Sequence, residues 1–406
     1  MELHRSIVVL AVCVFVALTA AVLRTPPGPA TATGGNSITS PDTVDDVGRD
    51  SSVALDGAGN PVVSYYDGTN RALKVLHCND PNCSGGDESI TTVDVGTLSA
   101  VGGRSSLVLD GAGNPVASYY DFVGDVKLLH CNDPNCSGGD ESITTVAGSF
   151  DVGRNNSLAL DSSGIPVISY LLWTLADLVV MRCGNADCTK GNKSTAPDTE
   201  GIVGIYNSLA LDGAGNPVVS YLDVTNGDLK VLHCNDLNCS GGDESITAPD
   251  TEGSGIWELY SSLVLDTNGN PVVSYYDFVG DLKVLHCNDP DCAGGDDSIT
   301  TPDTEGVLEV FGGTSLELDA SGNPVVSYYD RANGDLKVLH CGNPACTDLI
   351  PVGGIAELPD VAGTPLEAEG SWVPSAGVVA GVVTAVAAGA LALGGAAWYA
   401  RRWRSS

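Results

Sequence analysis

The sequence is poor in basic residues, and this scarcity excludes one large class of ligand. Only 18 of its 406 residues are Lys or Arg, against 51 Asp and Glu, which gives a formal net charge of −33. Such an excess repels the phosphates of nucleic acids, so we expect no nucleic-acid partner. Charged residues make up 17% of the chain and apolar residues 43%, a composition that excludes intrinsic disorder and supplies a large core.

Long apolar runs without charge are confined to the two ends of the chain. Residues 7–23 follow Arg5 and precede a spacer of Pro, Gly, Ala and Thr, which is typical of a secretory signal within residues 1–35. Cleavage of this signal and its retention as an anchor are both open. Residues 375–400 carry no charge and are long enough to span a bilayer, which predicts a transmembrane helix.

The segments on either side of this helix indicate its orientation. The tail, residues 401–406, contains three Arg, and positive charge favours the cytoplasmic side of a membrane. Residues 351–374 contain four Pro and three Glu without a strand pattern, which predicts a stalk. We therefore expect a single-pass protein of the cell membrane, with residues 36–350 on its extracellular side.

A repeat of about fifty residues fills the chain between these ends. Its core is Leu-Asp, a short turn containing Gly, and Pro-Val, and it recurs six times, at Asp56, Asp110, Asp161, Asp212, Asp266 and Asp319. Spacings of 51 to 54 residues, with turn signals inside each unit, are typical of a propeller or another repeat array. We place the units at residues 36–83, 89–136, 142–188, 193–239, 245–292 and 298–346.

Each unit divides into four short strands. Around the second unit these are residues 106–109, 115–120, 126–130 and 142–145, the first two joined by an Asp- and Gly-rich turn. No part of a unit has helical periodicity, and strands such as Pro-Val-Val-Ser-Tyr-Tyr carry apolar residues on both faces, as a sheet covered on both sides requires. The pattern predicts an all-β fold, a six-bladed β-propeller of four-stranded antiparallel blades. A parallel β-helix is the alternative.

Residues 36–43 provide a means of closing the ring of blades. They copy residues 297–304, a fourth-strand segment, yet they stand before the first complete unit, whereas the last unit is followed only by residues 348–352. An N-terminal strand that completes the last blade would remove both exposed sheet edges. We therefore expect Ile38 to lie in one sheet with Val338, whereas an open solenoid would keep them far apart.

The units resemble an uncharacterised bacterial repeat that runs Ser-Leu-Ala-Leu-Asp-x-x-Gly-Asn-Pro-x-x-Ser-Tyr-Tyr-Asp and continues to Gly-Asp-Leu-Lys. That repeat is distantly similar to the Asp-box propellers, the superfamily that includes the sialidases. The resemblance covers residues 37–346 and implies a propeller fold, but it is not specific for an activity. The Asp-box pattern Ser-x-Asp-x-Gly-x-x-Trp itself is absent from the chain.

Twelve of the thirteen Cys form six pairs with one spacing. They are Cys78 with Cys83, Cys131 with Cys136, Cys183 with Cys188, Cys234 with Cys239, Cys287 with Cys292 and Cys341 with Cys346. A four-residue turn brings two Cα atoms within disulfide reach, and paired Cys in an exported protein are typical of disulfides. Zinc is the alternative, because a His precedes the first Cys in five units, but no fourth ligand recurs. We expect no metal here, and a solvated His ring.

One face of the predicted propeller is the candidate binding face. The loops between successive units share this face with the turns between second and third strands, and these loops are variable and aromatic. The candidate residues are Arg49, Arg104, Arg154, Trp173, Tyr206, Trp257, Tyr260 and Phe311. A structural role is the alternative, in which each Arg pairs with a nearby Asp and the aromatic rings fill the space between blades.

A propeller without a recognisable catalytic set usually presents a rigid recognition surface. We therefore expect a binding module for an extracellular protein or glycan, and not an enzyme. One alternative is a sialidase-like glycan hydrolase whose three Arg grip a carboxylate, although no single Tyr–Glu nucleophile pair stands out. A purely structural surface protein is the other. The net charge near −37 of residues 37–374 indicates a solvated surface, so we expect no cofactor, with calcium binding as the alternative.

Overall fold

The computed structural model describes residues 39–96, 100–148, 152–251, 260–277, 280–304, 313–330 and 335–347. All the regular elements in these ranges are β-strands, and none of the described segments is a helix able to cross a membrane. The predicted signal, stalk, transmembrane helix and tail lie outside the described residues, and so does Ile38. These predictions therefore stay predictions.

The strands are grouped below by the sheet, or blade, to which they belong. Blades 1 to 3 consist of β1 (Val47–Leu55), β2 (Pro61–Asp67), β3 (Ala72–His77) and β4 (Ser89–Val95); β5 (Val101–Leu109), β6 (Pro115–Asp121), β7 (Asp125–His130) and β8 (Ser142–Ala147); and β9 (Val152–Leu160), β10 (Pro166–Leu172), β11 (Asp177–Arg182) and β12 (Lys193–Asp198). Blades 4 to 6 consist of β13 (Val203–Leu211), β14 (Pro217–Asp223), β15 (Asp228–His233) and β16 (Ser245–Asp250); β17 (Ser261–Leu265), β18 (Pro271–Tyr276), β19 (Leu282–His286) and β20 (Ser298–Asp303); and β21 (Ser315–Leu318), β22 (Pro324–Asp330) and β23 (Asp335–His340).

Within each blade the strands are antiparallel and follow one another in chain order. The first strands of successive blades are neighbours, β1 beside β5 and β5 beside β9, so they form the innermost layer around an axis. Blades 1 to 5 have four strands, and blade 6 has three among the described residues. The predicted six-bladed β-propeller of four-stranded antiparallel blades is confirmed.

The turn between the first and second strands is built by one carboxylate. In blade 1, Asp56 Oδ1 accepts hydrogen bonds from the backbone N–H groups of Ala58 and Asn60, both at 2.8 Å. Gly59 lies between them with φ of +86°, a conformation that favours Gly. The hydrogen bonds from Asn60 and from His77 lower the pKa of Asp56 to about 2. The Asp that marks each repeat is therefore a turn-forming residue.

His77, at the end of β3, connects this turn to the next blade. Its Nε2 lies 3.1 Å from Asp56 Oδ2, and its Nδ1 lies 3.0 Å from the side-chain oxygen of Asn135 in the disulfide loop of blade 2. His130 makes two contacts of the same kind in blade 2, and Arg182 takes the place of the His in blade 3. The expectation of a solvated ring is wrong, because the ring is held by polar groups of two blades.

All six Cys pairs are bridged within their own loops, and their Cα atoms are 4.8 to 5.0 Å apart. The second Cys of each pair has a positive φ, between +46° and +54°, which closes the loop. These six left-handed residues are Cys83, Cys136, Cys188, Cys239, Cys292 and Cys346. They are bonded to Cys78, Cys131, Cys183, Cys234, Cys287 and Cys341 in that order. The disulfide prediction is confirmed for every pair.

The backbone of these loops differs from a simple four-residue turn. A non-Gly residue with positive φ is uncommon, and the sequence pattern did not predict one at Cys83 or at its five equivalents. In blade 1 the Cys83 N–H donates to the Asp80 carbonyl at 3.1 Å. The same bond closes the loops of Cys239 and Cys292, where the acceptors are the carbonyls of Asp236 and Asp289. In the loops of Cys188 and Cys346 the acceptor is the carbonyl of an Asn. The bridge thus fixes a loop that a backbone hydrogen bond also closes.

The Ser-Leu pair of each repeat joins neighbouring blades. The Ser52 hydroxyl accepts a hydrogen bond from the backbone N–H of Leu107 at 3.0 Å, and the equivalent bond recurs at the four following joints. The Leu107 side chain packs with Val62 and Val75 of blade 1, and all three are at most 5% exposed. One dipeptide therefore supplies both a polar and an apolar contact between blades.

A buried Tyr–Asp–Lys network crosses most of the joints. In blade 4, Asp198 from the preceding blade accepts hydrogen bonds from the Tyr221 hydroxyl at 2.8 Å and the Lys230 ammonium at 2.9 Å. Lys230 also lies 2.9 Å from Asp223, whose side chain is fully buried. Burial opposes ionisation of Asp223, but hydrogen bonds from Lys230 and Asn226 lower its pKa overall.

At the joint between blades 2 and 3, apolar residues stand at all the charged positions of this network. The positions of the two Asp and the Lys are occupied by Ala147, Leu172 and Val179, which pack in one apolar cluster. Tyr170 belongs to the same cluster, and its burial raises its pKa to about 12. Two carboxylates and their shared cation have thus been exchanged together for apolar side chains.

The joint between blades 6 and 1 differs from the other five. Val53 of β1 is 61% exposed, whereas Leu107 at the corresponding position of blade 2 is 5% exposed. Val338 of β23 is 59% exposed, whereas Val75 in blade 1 is 1% exposed. The N-terminal segment nevertheless lies against blade 1, where the Thr39 hydroxyl donates to the Asn82 carbonyl at 2.8 Å. The predicted pairing of this segment with β23 involves Ile38, which is not among the described residues.

Candidate functional site

A single variable position lines a cavity on the propeller axis. It lies two residues before the Ser that bonds to the next blade, and in blades 1 to 6 it is occupied by Asp50, Arg104, Asn155, Tyr206, Tyr260 and Gly313. We call these six residues the variable ring. They surround a cavity of about 380 Å³, within the size range of small-ligand sites. Every blade therefore contributes a residue to this axial cavity.

A second ring of small polar residues supports the first. It consists of the residues that follow the variable positions: Ser51, Ser105, Asn156, Asn207 and Ser261. The Ser105 hydroxyl donates to the Asp50 carbonyl at 3.0 Å, and the Asn156 amide donates to the Arg104 carbonyl at 2.9 Å. Asn207 donates in the same way to the Asn155 carbonyl of the preceding blade, and Ser261 to the Tyr206 carbonyl of the preceding blade. This polar ring fixes the backbone from which the variable side chains extend.

Three variable residues adopt a left-handed backbone. Asp50, Arg104 and Tyr206 each have φ of +52°, at a bulge where the first strand loses register with the second. Gly suits this conformation, whereas a bulky side chain such as Tyr is strained in it by roughly 1 kcal/mol. Strained backbone that carries large side chains is concentrated at functional sites. The strain at Arg104 and Tyr206 therefore marks these side chains as functional candidates.

The side chains of the variable ring combine opposite charges with an aromatic surface. Asp50 and Arg104 are both exposed and come from neighbouring blades. On the far side, the rings of Tyr206 and Tyr260 lie with their centroids 3.8 Å apart and their planes tilted by 31°. Amide groups, hydroxyl groups and a cation provide hydrogen-bond donors, while Asp50 and the amide oxygens provide acceptors. The cavity is thus equipped to bind a polar ligand that has one apolar face.

The structure brings together only some of the predicted site residues. Arg104, Tyr206 and Tyr260 line the axial cavity. Arg49 lies outside it and forms an ion pair with Asp46 at 2.7 Å on an exposed surface.

The other predicted candidates are Arg154, Trp173, Trp257 and Phe311. Arg154 lies in β9, one residue before the lining residue Asn155. Trp173 is an exposed turn residue of blade 3. Trp257 and Phe311 lie outside the described residues, so their part in the prediction stays a prediction.

The three Arg of the predicted set do not share one repeat position. Arg49 and Arg154 precede the variable position by one residue, whereas Arg104 occupies it. Asp50, Asn155 and the polar ring were not predicted. Aligning the units on the Ser before each Leu would have placed these residues at two adjacent positions, one variable and one always small and polar.

The acidic turns hold their carboxylates in hydrogen bonds to the chain itself. Among the described residues, no group of three or more His, Cys, Asp or Glu is arranged to hold a metal ion. Asp67, the last residue of β2, is fully buried between Lys74 and Asn70. The predictions about cofactors and calcium stay predictions.

Comparisons with known proteins give distant likenesses of structure. No family model and no curated protein matches the sequence. A protein of unknown function from Dyadobacter fermentans is 11% identical, with 71% of this chain and 92% of that chain covered and a TM-score of 0.49. A triple mutant of AofleA from Arthrobotrys oligospora is 13% identical, with 73% and 85% covered and a TM-score of 0.46. An exo-β-1,3-galactanase from Phanerochaete chrysosporium, solved with galactose, is 11% identical, with 75% and 77% covered and a TM-score of 0.38. Likenesses this distant carry no information about ligand or activity.

Proposed function

We propose that this protein is a binding module whose ligand-binding site is the axial cavity, and that the ligand is a carbohydrate. The observation that supports this most is the variable ring, where six otherwise similar blades place six residues of five different types around one cavity. When repeated units keep the residues of their fold but differ at one position, the side chains at that position serve a purpose other than the fold. The adjacent polar position varies only among Ser, Asn and, in blade 6, Thr, as a supporting layer should.

The chemistry of the cavity favours a sugar ring over other small ligands. A sugar presents hydroxyl groups around its edge, which match the donors and acceptors of Arg104, Asn155 and Asp50. Its C–H face is apolar and suits the surface of the Tyr206–Tyr260 pair. A cavity of about 380 Å³ has room for one or two sugar units.

A hydrolase remains the second candidate, but the described residues favour it less. The three Arg that were predicted to bind a carboxylate together do not all line the cavity. Arg104 lines it, whereas Arg49 pairs with Asp46 outside it. The resemblance to the Asp-box propellers stays a prediction. We further propose that the propeller faces the outside of a cell and is tethered to its membrane through residues 375–400, as the sequence of both ends predicts.

Two substitutions test whether the axial cavity binds the ligand, and neither should cause a large loss of stability. Tyr206→Gly and Arg104→Gly each introduce the residue that the left-handed backbone favours, so relief of strain offsets the lost side-chain contacts. We expect the free energy of unfolding of each variant to stay within about 1 kcal/mol of the original. Arg49→Gly is the matched control, because Arg49 is adjacent in the repeat but outside the cavity.

The measurement is retention on an array of immobilised mono- and oligosaccharides, with the full-length chain in a mild detergent. We expect retention of at least one saccharide by the original protein and by Arg49→Gly, and at least tenfold weaker retention by the two cavity variants. Failure of the original protein to retain any saccharide would refute the proposal. Equal retention by all four proteins would place the binding site elsewhere.

A further inference from the structure

An exposed apolar surface lies on the turns that follow the second strands of blades 2 and 3. Phe122 and Val123 are 49% and 64% exposed, and Trp173 and Leu175 are 43% and 66% exposed. We call these four residues the apolar shelf. In blade 4 the position of Phe122 and Trp173 is occupied by Val224, which packs against a buried cluster. Core packing therefore does not account for large exposed side chains at this position.

The shelf adjoins the mouth of the axial cavity. The Phe122 ring lies over Gly103, the residue before Arg104, so closely that a Cβ on Gly103 would come within 2.9 Å of the ring. Tyr66 and Tyr120 hold the Phe122 ring from the side, with centroid separations of 5.8 and 5.2 Å. The shelf thus begins beside the part of the cavity wall that Arg104 provides.

We propose that the axial cavity and the apolar shelf form one extended site for an oligosaccharide. The terminal sugar occupies the cavity, and the following sugars cross Phe122 and then Trp173. This inference rests on the proposed function of the cavity. It adds a ligand class, because a site that ended at the cavity would select a mono- or disaccharide, whereas the shelf selects a longer chain.

The size of the shelf favours a chain of sugars over a protein partner. Four half-exposed side chains offer on the order of 400 Å². A stable protein interface needs roughly 800 Å² from each partner. A short oligosaccharide needs only successive aromatic surfaces beside hydrogen-bonding groups, and the shelf and the cavity supply these together.

Binding of a length series distinguishes this inference from the proposed function itself. The probes are soluble homo-oligosaccharides of glucose, galactose, mannose and N-acetylglucosamine, one to four units long, and the readout is calorimetric affinity for the full-length chain. We expect the trisaccharide of the bound series to bind roughly tenfold more tightly than its monosaccharide. Phe122→Ser and Trp173→Ser should abolish this gain and leave monosaccharide affinity unchanged.

Ile143→Ser is the matched control, because Ile143 is similarly exposed but lies on the fourth strand of blade 2, at the blade edge far from the axis. It should retain the full gain with length. Equal affinity for all lengths would overturn the shelf while leaving the cavity intact, whereas no binding of any member would overturn both. Sedimentation measures whether the original chain associates with itself. If it does, and the two shelf variants do not, the shelf binds a second copy of the chain and the inference is overturned.

Discussion

Removing the cation of one buried network should be much more harmful than removing the whole network. Lys230→Val in blade 4 leaves the carboxylates of Asp198 and Asp223 buried without their shared cation, and their side chains are only 4% and 0% exposed. Breaking a buried ion pair by removing one partner typically costs 3 to 5 kcal/mol. Because the two carboxylates retain hydrogen bonds from Tyr221 and Asn226, we expect about 3 kcal/mol. For a domain of this size that loss lowers the melting temperature by about 5 °C.

The chain itself supplies the compensating variant. Asp198→Ala and Asp223→Leu, combined with Lys230→Val, reproduce the apolar set Ala147, Leu172 and Val179 at the joint between blades 2 and 3. No charge then remains buried, so the triple variant should recover to within about 1 kcal/mol of the original protein. In the reverse experiment, Val179→Lys alone should destabilise blade 3, because its new ammonium lies among apolar side chains.

Chemical denaturation of the oxidised protein measures these free energies, with the slope of the transition as a check that the unfolding reaction is unchanged. The reasoning fails if Lys230→Val costs less than about 0.5 kcal/mol, since the pair would then be solvated. It also fails if the triple variant is no more stable than the single one. In that case blade 3 would owe its apolar set to some other feature of its packing.

Three further predictions concern the bridges, pH and ring closure. Replacing Cys131 and Cys136 together with Ala should lower the free energy of unfolding by about 2 kcal/mol and leave the strand content unchanged in circular dichroism, because the loop is short; loss of the fold would contradict this. The pKa values of Asp56 and of the equivalent turn residues are lowered in the folded protein. These carboxylates therefore make their full contribution to stability at pH values above the unfolded-state pKa near 4, and this contribution is lost as pH falls from about 4 to 2. Melting temperatures in 0.5 M NaCl, which screens the net charge, should show this loss, and a constant value down to pH 2 would contradict it. Cys replacements at Ile38 and Val338 should form a bridge, because we expect the N-terminal strand to complete blade 6, and persistent free thiols under oxidising conditions would contradict this pairing.

The fold was predictable because its signals are local and repeated. The Asp at each turn, the Pro that starts the second strand and the Cys pair all act within a few residues of chain. Their spacing alone gives the blade count and the disulfides. The contacts between blades were not predictable, since they join residues that are far apart in the chain. Tyr65 bonds to Asp42, and His77 to Asn135, across gaps of 23 and 58 residues.

The candidate site was predicted in part for a different reason. Arg104, Tyr206 and Tyr260 were recognisable as unusual residues in variable loops, and they do line the axial cavity. Asp50 and Asn155 are ordinary loop residues by type, so only an alignment of the units on the repeated Ser, or their position around the axis, identifies them. Arg104 stands one repeat position later than Arg49, although blades 1 and 2 have the same bulge there, so the predicted Arg occupy two different positions of the repeat.

Hydrogen exchange of the saccharide-bound protein tests the central claim most directly, because it locates the ligand without any substitution. We expect slower exchange at the amides of residues 104–105, 155–156 and 206–207 when a retained saccharide is added, with no change in the disulfide loops on the opposite face. Protection that spans several blades at one repeat position would identify an axial ligand. Protection confined to the disulfide loops, or to the outer strand of a single blade, would contradict it.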